Sequence, residues 1–224
     1  MSRISATLTV TVAILGLAPA TPIPPASIRP EPYFPTGLGT TWIYQLGEPG
    51  DWLIMFVCST KAVDETTKVT LFSKADGSGW YEDVTVSSEG VSAAENRTYH
   101  YDRPIRWLNT PFRVWDKWEV KTTYRSAGFA SAPDPLAAWV TVRGEEKVEV
   151  PAGVFNAVRV EGRGKQGAVD WAEDRWYARG VGLVKRIIDH GTPMVLKSFT
   201  PRNGFVRVGP EPRPDPRLPV PEAR

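Results

Sequence analysis

Cysteine and histidine are scarce in this chain of 224 residues. It holds one cysteine, Cys58, and two histidines, His100 and His190. A single cysteine excludes an internal disulfide and a metal site built from several cysteines. The histidines lie far apart in sequence, and neither has the neighbours that a zinc site or a catalytic triad needs. We therefore expect no metal, no cofactor and no catalytic residue.

A surplus of charge of either sign is also missing. The chain has 27 basic and 25 acidic residues, for a net charge of +2. Such a balance lacks the basic patch that marks a nucleic-acid-binding protein. The sequence also lacks a nucleophile elbow and a glycine-rich phosphate loop. These absences exclude nucleic acid as a partner and give no support to common hydrolases or nucleotide-binding enzymes.

The first twenty residues have the pattern of an export signal. Arg3 lies near the start, an apolar stretch covers residues 6–18, and Ala-Pro-Ala at residues 18–20 forms a cleavage pattern. The apolar stretch is short for a membrane span. We expect residues 1–20 to be a signal peptide and the mature chain to have no transmembrane span. The alternative is a buried N-terminal strand.

Proline is concentrated at both ends of the remaining chain, in residues 21–35 and 204–224. Because proline fixes φ and donates no backbone hydrogen bond, neither stretch suits a helix or a sheet ladder. We expect residues 21–35 to be an extended linker and residues 204–224 to be a disordered tail. Residues 36–203 would then form a single β domain.

Short runs of alternating apolar and polar residues fill this central part. Residues 51–63, "DWLIMFVCSTKAV", are the most apolar run and read as a central strand. Turn residues recur at regular short intervals, as in an antiparallel meander, and no helical periodicity of useful length appears. The sequence predicts an all-β fold, either a curved antiparallel meander sheet or a partial, half-open barrel.

Two turns can be placed from their residues. Asp76 and Gly77 separate two alternating segments and predict a hairpin with a turn of more than two residues. Pro151 and Gly153 suit the second and fourth positions of a type I turn between two half-buried strands.

Two further segments are shaped by glycine or proline. Gly180 and Gly182 predict backbone with positive φ or a close approach of two chain segments. Residues 101–116 are broken by proline, and we expect them to be irregular and to divide the meander into two halves.

Four motifs follow one another along the chain: "YFPTGLGTTWIY" (33–44), "TPFRVWDKWEV" (110–120), "VPAGVFNAVRVEGRG" (150–164) and "RWYARGVGLVKR" (175–186). Together they resemble the TapB-like family of exported bacterial β-rich proteins, which has no assigned activity. The resemblance covers residues 33–200.

This resemblance implies a fold and a kind of ligand. The family is similar to the LolA/LolB carriers, which hold lipoprotein acyl chains in a half-open barrel. The second motif departs from the family pattern, because Trp115 and Asp116 stand where a glycine is expected. The resemblance carries over no catalytic residue.

Nine tryptophans are many for this length, and they suggest a ligand site. Large rings line pockets for apolar ligands, but they also fill the interior of wide β structures. Four tryptophans lie in predicted strands within the matched region, and we take them as candidate ligand-binding residues: Trp80, Trp118, Trp139 and Trp176.

An acidic cluster offers a different function. Asp170, Glu173 and Asp174 lie among aromatic residues, and a pair of carboxylates is what glycoside hydrolysis requires. In a strand, Asp170 and Asp174 share one face, while Glu173 shares the other with Trp171. Ion pairs on a solvated strand face explain the same residues.

The sequence favours a non-catalytic exported protein, periplasmic or extracellular, that binds a lipid or another apolar or amphipathic molecule. A protein partner in the cell envelope is a further expectation. The first alternative is a structural or interaction scaffold with a filled interior. The second is a glycan-active enzyme built on residues 170–174.

Overall fold

The computed structural model describes residues 32–47, 50–75, 78–95, 99–126 and 132–202. Within these ranges the chain forms twelve strands and no helix. The strands are β1 (Thr41–Leu46), β2 (Trp52–Val63), β3 (Thr66–Ala75), β4 (Ser78–Ser87), β5 (Gly90–Glu95), β6 (Tyr99–Asn109), β7 (Lys117–Ser126), β8 (Asp134–Val150), β9 (Gly153–Gln166), β10 (Val169–Ala178), β11 (Gly182–Ile188) and β12 (Met194–Thr200).

The strands form an antiparallel meander that closes on itself. Each strand pairs with the next one along the chain, and β1 pairs with both β2 and β12, so the sheet is a closed barrel. The predicted all-β antiparallel fold is therefore confirmed. Closure depends on the β1–β12 ladder, which runs from the pair Thr41 and Thr200 to the pair Leu46 and Met194 and joins the two ends of the domain.

Side-chain alternation sets the inner and outer faces of the wall. In β8, Leu136, Ala138, Val140 and Val142 are buried, while the residues between them are more exposed. This period of two is expected where one face of a strand meets a core and the other meets water. The buried set faces the barrel interior.

The two hairpin turns have different outcomes. Ala75 pairs with Ser78, which leaves only two residues between the strands, so the prediction of a longer turn was wrong. Those two residues lie outside the described part of the chain. Val150 pairs with Gly153 across a two-residue turn at the expected place, and its assignment as type I stays a prediction.

Residues 101–116 are only partly irregular. The prediction was wrong up to Asn109, because β6 runs through Pro104. The β6–β7 ladder ends at the pair Tyr101 and Tyr124, and Pro104 has no partner in the β5–β6 ladder either. A proline is tolerated in a strand where no ladder hydrogen bond is needed from it.

Two neighbouring strand pairs are joined by short ladders. Three residue pairs join β6 to β7, and two join β11 to β12. Beyond these ladders, side chains bond to the unpaired backbone. The indole of Trp118 donates to the Arg106 carbonyl at 2.8 Å, and that of Trp42 donates to the Val181 carbonyl at 2.6 Å. The barrel stays closed where its backbone pairing stops.

The end of the barrel where β1 begins, here called the lower end, is covered by residues 32–40. Gly180 donates its backbone N–H to Pro32, and the Tyr33 hydroxyl donates to Glu145 at 2.9 Å. Burial and this carboxylate raise the pKa of Tyr33 to about 12. Phe34 is buried above them. These contacts hold the last residues of the predicted linker against the barrel.

Glycine makes this covering possible. Gly180 and Gly182 have φ of 69° and 94°, as their predicted positive φ requires. A Cβ on Gly182 would lie 3.4 Å from Pro35 and 3.6 Å from Phe34. At these distances a Cβ would be in ordinary van der Waals contact with the covering segment, so the cost of a side chain there is the strain of a positive φ.

The remaining terminal predictions concern residues that the structure does not describe. The predicted signal peptide at 1–20, most of the linker at 21–35 and the tail at 204–224 lie outside the described ranges. Among the residues that are described, none belongs to a helix of the length and apolar character needed to cross a membrane.

Candidate functional site: the cavity inside the barrel

The barrel encloses a cavity of about 420 Å³. This volume lies in the usual range for small-molecule sites. Aromatic rings supply much of the lining: Phe34, Tyr44, Trp80, Tyr99, Tyr101, Trp107, Trp171 and Tyr177. The interior is thus neither filled completely nor uniformly polar.

The cavity extends from the covered lower end towards the opposite, upper end. Phe34 and Leu183 line its base, and both are buried. At the upper end the lining includes Leu46, Met194 and Ile188. Leu46 and Met194 are partly exposed, and Ile188 is 40% exposed. This gradient of exposure indicates that solvent reaches the cavity from the upper end.

Strands β1 to β5 supply a mainly apolar wall, in which Glu82 of β4 is the charged exception among the described lining residues. Its aliphatic lining residues are Leu46, Leu53, Met55, Leu71, Val84, Val91 and Ala93. Burying apolar ligand surface here is favourable by about 25 cal/mol per Å². The wall therefore suits a hydrocarbon chain.

Strands β10 and β11 supply a charged wall opposite in character. Glu173, Arg175 and Arg186 all line the cavity, and Arg175 pairs directly with Arg186 across the two strands. The Nε of Arg175 donates to Glu173 Oε1 at 2.6 Å, and the Nε of Arg186 donates to the same oxygen. One carboxylate therefore separates two guanidinium groups that would otherwise repel each other.

Glu173 and Arg175 both stay charged. Burial alone would raise the pKa of Glu173, but the charges and hydrogen bonds of Arg175 and Arg186 outweigh it, so this pKa lies below its usual value. Burial would lower the pKa of Arg175, and the Glu173 charge reverses this, so the pKa lies above its usual value. A buried ion pair of this kind is held by mutual attraction and hydrogen bonding.

Aromatic rings fix the position of Arg175. Its guanidinium lies 3.5 Å from the centre of the Trp107 ring, and its Nη1 donates to the Tyr177 hydroxyl at 3.3 Å. The Trp107 and Trp171 rings are 5.7 Å apart. Trp171 has room because Gly162 lies opposite, where a Cβ would come within 2.6 Å of the indole. Arg175 is therefore a fixed part of the wall.

Tyr44 and Glu82 add a hydroxyl and a carboxylate to the polar lining. The Tyr44 hydroxyl donates to the Leu183 carbonyl at 2.8 Å, and burial raises the pKa of Tyr44 well above its usual value. On β4, Glu82 accepts hydrogen bonds from the Ser73 hydroxyl at 3.2 Å and the Trp80 indole at 2.7 Å. Glu82 forms no ion pair within the described ranges.

The structure does not bring the four candidate tryptophans together. Trp80 lines the cavity. Trp118 packs against the core and closes the gap between β6 and β7 through its bond to Arg106. Trp80 is the one of the four that has the position expected of a ligand-binding residue among the described side chains.

Trp139 and Trp176 lie on the outer face. Trp139 is 46% exposed, with the Lys117 ammonium 4.5 Å from its ring centre. Trp176 is only 5% exposed, because Arg159 and Lys185 cover its ring and its indole donates to Glu146. A role of these two in ligand binding would need a site outside the cavity.

The three carboxylates of the acidic cluster do not face one another. Asp170 has a side chain 91% exposed and pairs with Lys165. Asp174 lies on the outer face of β10, and Glu173 lies inside. This arrangement does not supply the facing pair of carboxylates that glycoside hydrolysis needs.

No cluster of histidine, cysteine, aspartate and glutamate in the described ranges could hold a metal ion. Cys58 is partly buried, its thiol donates to the Thr70 carbonyl, and burial raises its pKa. A protonated, hydrogen-bonded thiol of this kind is a poor nucleophile.

Sequence reasoning missed most of the cavity lining. The alternation of Trp171, Glu173 and Arg175 was a usable signal for one face of β10. Nothing local places Trp107 against Arg175, or Arg186 beside Glu173, because these contacts join different strands.

Comparison with solved structures shows the fold. A candidate lipoprotein from Parabacteroides distasonis superposes with a TM-score of 0.57 at 12% sequence identity, over 77% of this chain and 100% of the other. A candidate exported protein with a YmcC-like fold, from Bacteroides fragilis, gives a TM-score of 0.51 at 13% identity, over 76% of this chain and 98% of the other.

No family model matches the chain, and no curated protein matches it. The two structural neighbours are described as a candidate lipoprotein and an exported protein, and their descriptions include neither the TapB-like family nor the LolA/LolB carriers. At these identities the likeness establishes the barrel architecture, and the resemblance to the TapB-like family stays an expectation.

Proposed function

We propose that this protein is an exported, non-catalytic binding protein of the cell envelope that holds an amphipathic molecule inside its barrel. The observation that carries this proposal is the cavity of about 420 Å³ with one apolar and one charged wall. A scaffold needs only a filled core, and an unfilled interior loses packing contacts. A ligand would supply those contacts.

Export is supported from two directions. The first twenty residues have the composition of a signal peptide. The two solved neighbours are described as a candidate lipoprotein and an exported protein. If the signal is cleaved after Ala20, the mature protein will begin at Thr21, and the intact mass of protein from the periplasmic or extracellular fraction will show this. Full-length protein confined to the cytosol would contradict export.

Ligand binding is tested first on protein purified from its own host. Native mass spectrometry should detect a bound small molecule that is lost on denaturation. The purified protein, stripped of ligand, should then bind a fluorescent fatty acid with saturable emission. Absence of both signals would remove the binding proposal and favour the scaffold.

The site is tested by filling the cavity. Ala93 lines the apolar wall, so Ala93→Phe should place a ring where the ligand lies and abolish binding. The matched control is Ala137→Phe, since Ala137 is exposed on the outer face of β8. Equal binding by the two variants would show that the fatty acid binds elsewhere.

A further inference from the structure

We propose that the cavity selects an amphipathic ligand with an anionic head, a carboxylate or a phosphate, and that Arg186 binds this head. This inference rests on the proposed function and adds the chemical class of the ligand. The observation that carries it is a guanidinium group on the cavity wall that is only partly used by the protein.

Arg186 has hydrogen-bond donors to spare. Its Nε donates to Glu173, and its two Nη groups donate to no residue in the described part of the chain. Its side chain is 26% exposed and lines the cavity. A guanidinium presents a planar fork that matches the two oxygens of a carboxylate or phosphate.

Arg175 differs in each of these respects. Its side chain is 13% exposed, and its guanidinium contacts Glu173, Tyr177 and the ring of Trp107. Two arginines therefore share one carboxylate, and the charge of Glu173 balances only one of them. Since Arg175 has close contacts on several sides, Arg186 is the group that an incoming anion can reach.

Two other carboxylates border the cavity and bear on the charge balance. Asp189 is exposed at the upper end and accepts a hydrogen bond from the backbone N–H of Ala172. Glu82 lies on β4, with Ser73 and Trp80 donating to it. Glu82 would repel an anion that Arg186 would attract, so these two groups favour ligand heads of opposite charge.

The apolar wall then defines the rest of the ligand. Leu53, Met55 and Val84 lie on the strands that face the cavity from the side of β1 to β5. A single hydrocarbon chain fits a cavity of about 420 Å³ better than a bulky multi-chain lipid. The class is thus a single-chain anionic amphiphile.

The experiment measures displacement of a fluorescent fatty acid by three competitors: oleate, a monoalkyl phosphate of similar length and oleyl alcohol. Oleate or the phosphate should bind at least roughly tenfold more tightly than the alcohol. The two anionic competitors distinguish a carboxylate head from a phosphate head. Equal affinity for all three would overturn the anionic head while leaving the proposed function intact.

Variants assign the head to Arg186. Arg186→Gln should weaken oleate binding roughly tenfold or more and leave oleyl alcohol nearly unchanged. Glu82→Gln should leave oleate binding unchanged or tighten it. The matched control is Lys185→Gln, which removes one positive charge from the adjacent outward position beside Trp176. If Lys185→Gln and Arg186→Gln act alike, the effect is long-range charge and Arg186 is not the contact.

A second variant distinguishes misfolding of the cavity from loss of the Arg186 contact. Arg186→Lys keeps the charge and removes the fork, so it should retain part of the preference for oleate over oleyl alcohol. Binding of the alcohol by Arg186→Gln serves as the check on the fold of the cavity. If Arg186→Gln loses both ligands, its cavity has misfolded and Arg186→Lys decides: a weakened preference for oleate supports the proposal, and an unchanged preference overturns it. Unchanged oleate binding in both variants also overturns it.

Discussion

Strand β10 carries a carboxylate held by arginines on each of its two faces. Inside the barrel, Glu173 is bonded to Arg175 and Arg186. On the outer face the next residue, Asp174, pairs with Arg159 at 2.9 Å and Arg163 at 2.6 Å. The chemical groups are the same, and the surroundings differ.

The carboxylate of the inner cluster is more enclosed than that of the outer one, since the Glu173 side chain is 2% exposed and the Asp174 side chain 14%. The side chain of Arg175 is 13% exposed, against 32% for Arg159 and 41% for Arg163. Water screens the outer pairs and reduces what they contribute to stability. Glu173 and Arg175 depend on each other, because a largely buried charge is costly to leave without its partner.

The two tryptophans of β10 differ in the opposite way, since the one on the outer face is the more buried. Trp171 faces the cavity and is only partly buried, while Trp176 on the outer face is 5% exposed. Charged side chains cover Trp176 as thoroughly as a core would, through Arg159 and Lys185. Burial alone therefore does not identify the face of the strand that can bind a ligand.

The largest expected effect is on the inner carboxylate. Glu173→Gln would leave Arg175 buried with reduced compensation, at a cost of about 3–5 kcal/mol in the free energy of unfolding. Asp174→Asn should cost about 1 kcal/mol, because its arginine partners remain hydrated. Urea unfolding of the two variants measures both values. Equal losses would mean that enclosure does not distinguish the two faces.

A similar loss of stability, but without loss of binding, is expected at Trp176. Trp176→Ala should cost about 3 kcal/mol, as expected for a buried aromatic residue, and leave fatty-acid binding intact. Trp171→Ala should cost less and weaken binding, because this ring lines the cavity. Unfolding and titration on the same two samples test this. If Trp176→Ala lost binding and Trp171→Ala kept it, the ligand would lie on the outer face.

A smaller effect is expected from crowding the inner face. Gly162→Ala adds a Cβ within 2.6 Å of the Trp171 indole and should cost about 1 kcal/mol. The loss should shrink when Trp171→Phe is added, since the smaller ring leaves room for the methyl group. A double-mutant cycle measures this coupling. Strict additivity would show that the backbone, and not the ring, absorbs the change.

The fold could be predicted from the sequence as far as local periodicity carries information. Alternation in residues such as Leu136, Ala138 and Val140 predicts strands and their buried faces. Closure could not be predicted, because it depends on Thr41 meeting Thr200 at the far end of the domain. Pro104 misled the prediction, since a proline excludes a strand only where its missing donor is needed.

The site was less predictable than the fold. Trp80 lines the cavity, yet Trp139 and Trp176 were chosen on the same sequence signature and lie outside. Inner and outer faces differ by one position in a strand, so an uncertain register reverses the assignment. The partnership of Glu173 with Arg186 spans two strands and follows only from their pairing.

The smallest expected effect is on the dependence of stability on pH. The pKa of Glu173 in the folded protein lies below its usual value, because the arginine charges outweigh burial. A carboxyl with a lowered folded pKa stabilises the protein fully above its unfolded pKa of about 4.3, and this contribution is lost as pH falls through the folded pKa. Stability should therefore decline as the pH falls below about 4.3, and the decline should be steeper in the wild type than in Glu173→Gln.

Urea unfolding at about pH 6 and about pH 3 measures the two declines, and Asp174→Asn is the matched control on the outer face. Protonating Glu173 should cost less stability than replacing it with glutamine, because the protonated side chain keeps its size and part of its hydrogen bonding to Arg175 and Arg186. Parallel declines in wild type and Glu173→Gln would show that other carboxylates govern acid unfolding. The expected result is that Glu173→Gln removes the steeper loss of stability at low pH and Asp174→Asn does not. This would show that the charges on the inner face of β10 depend on enclosure.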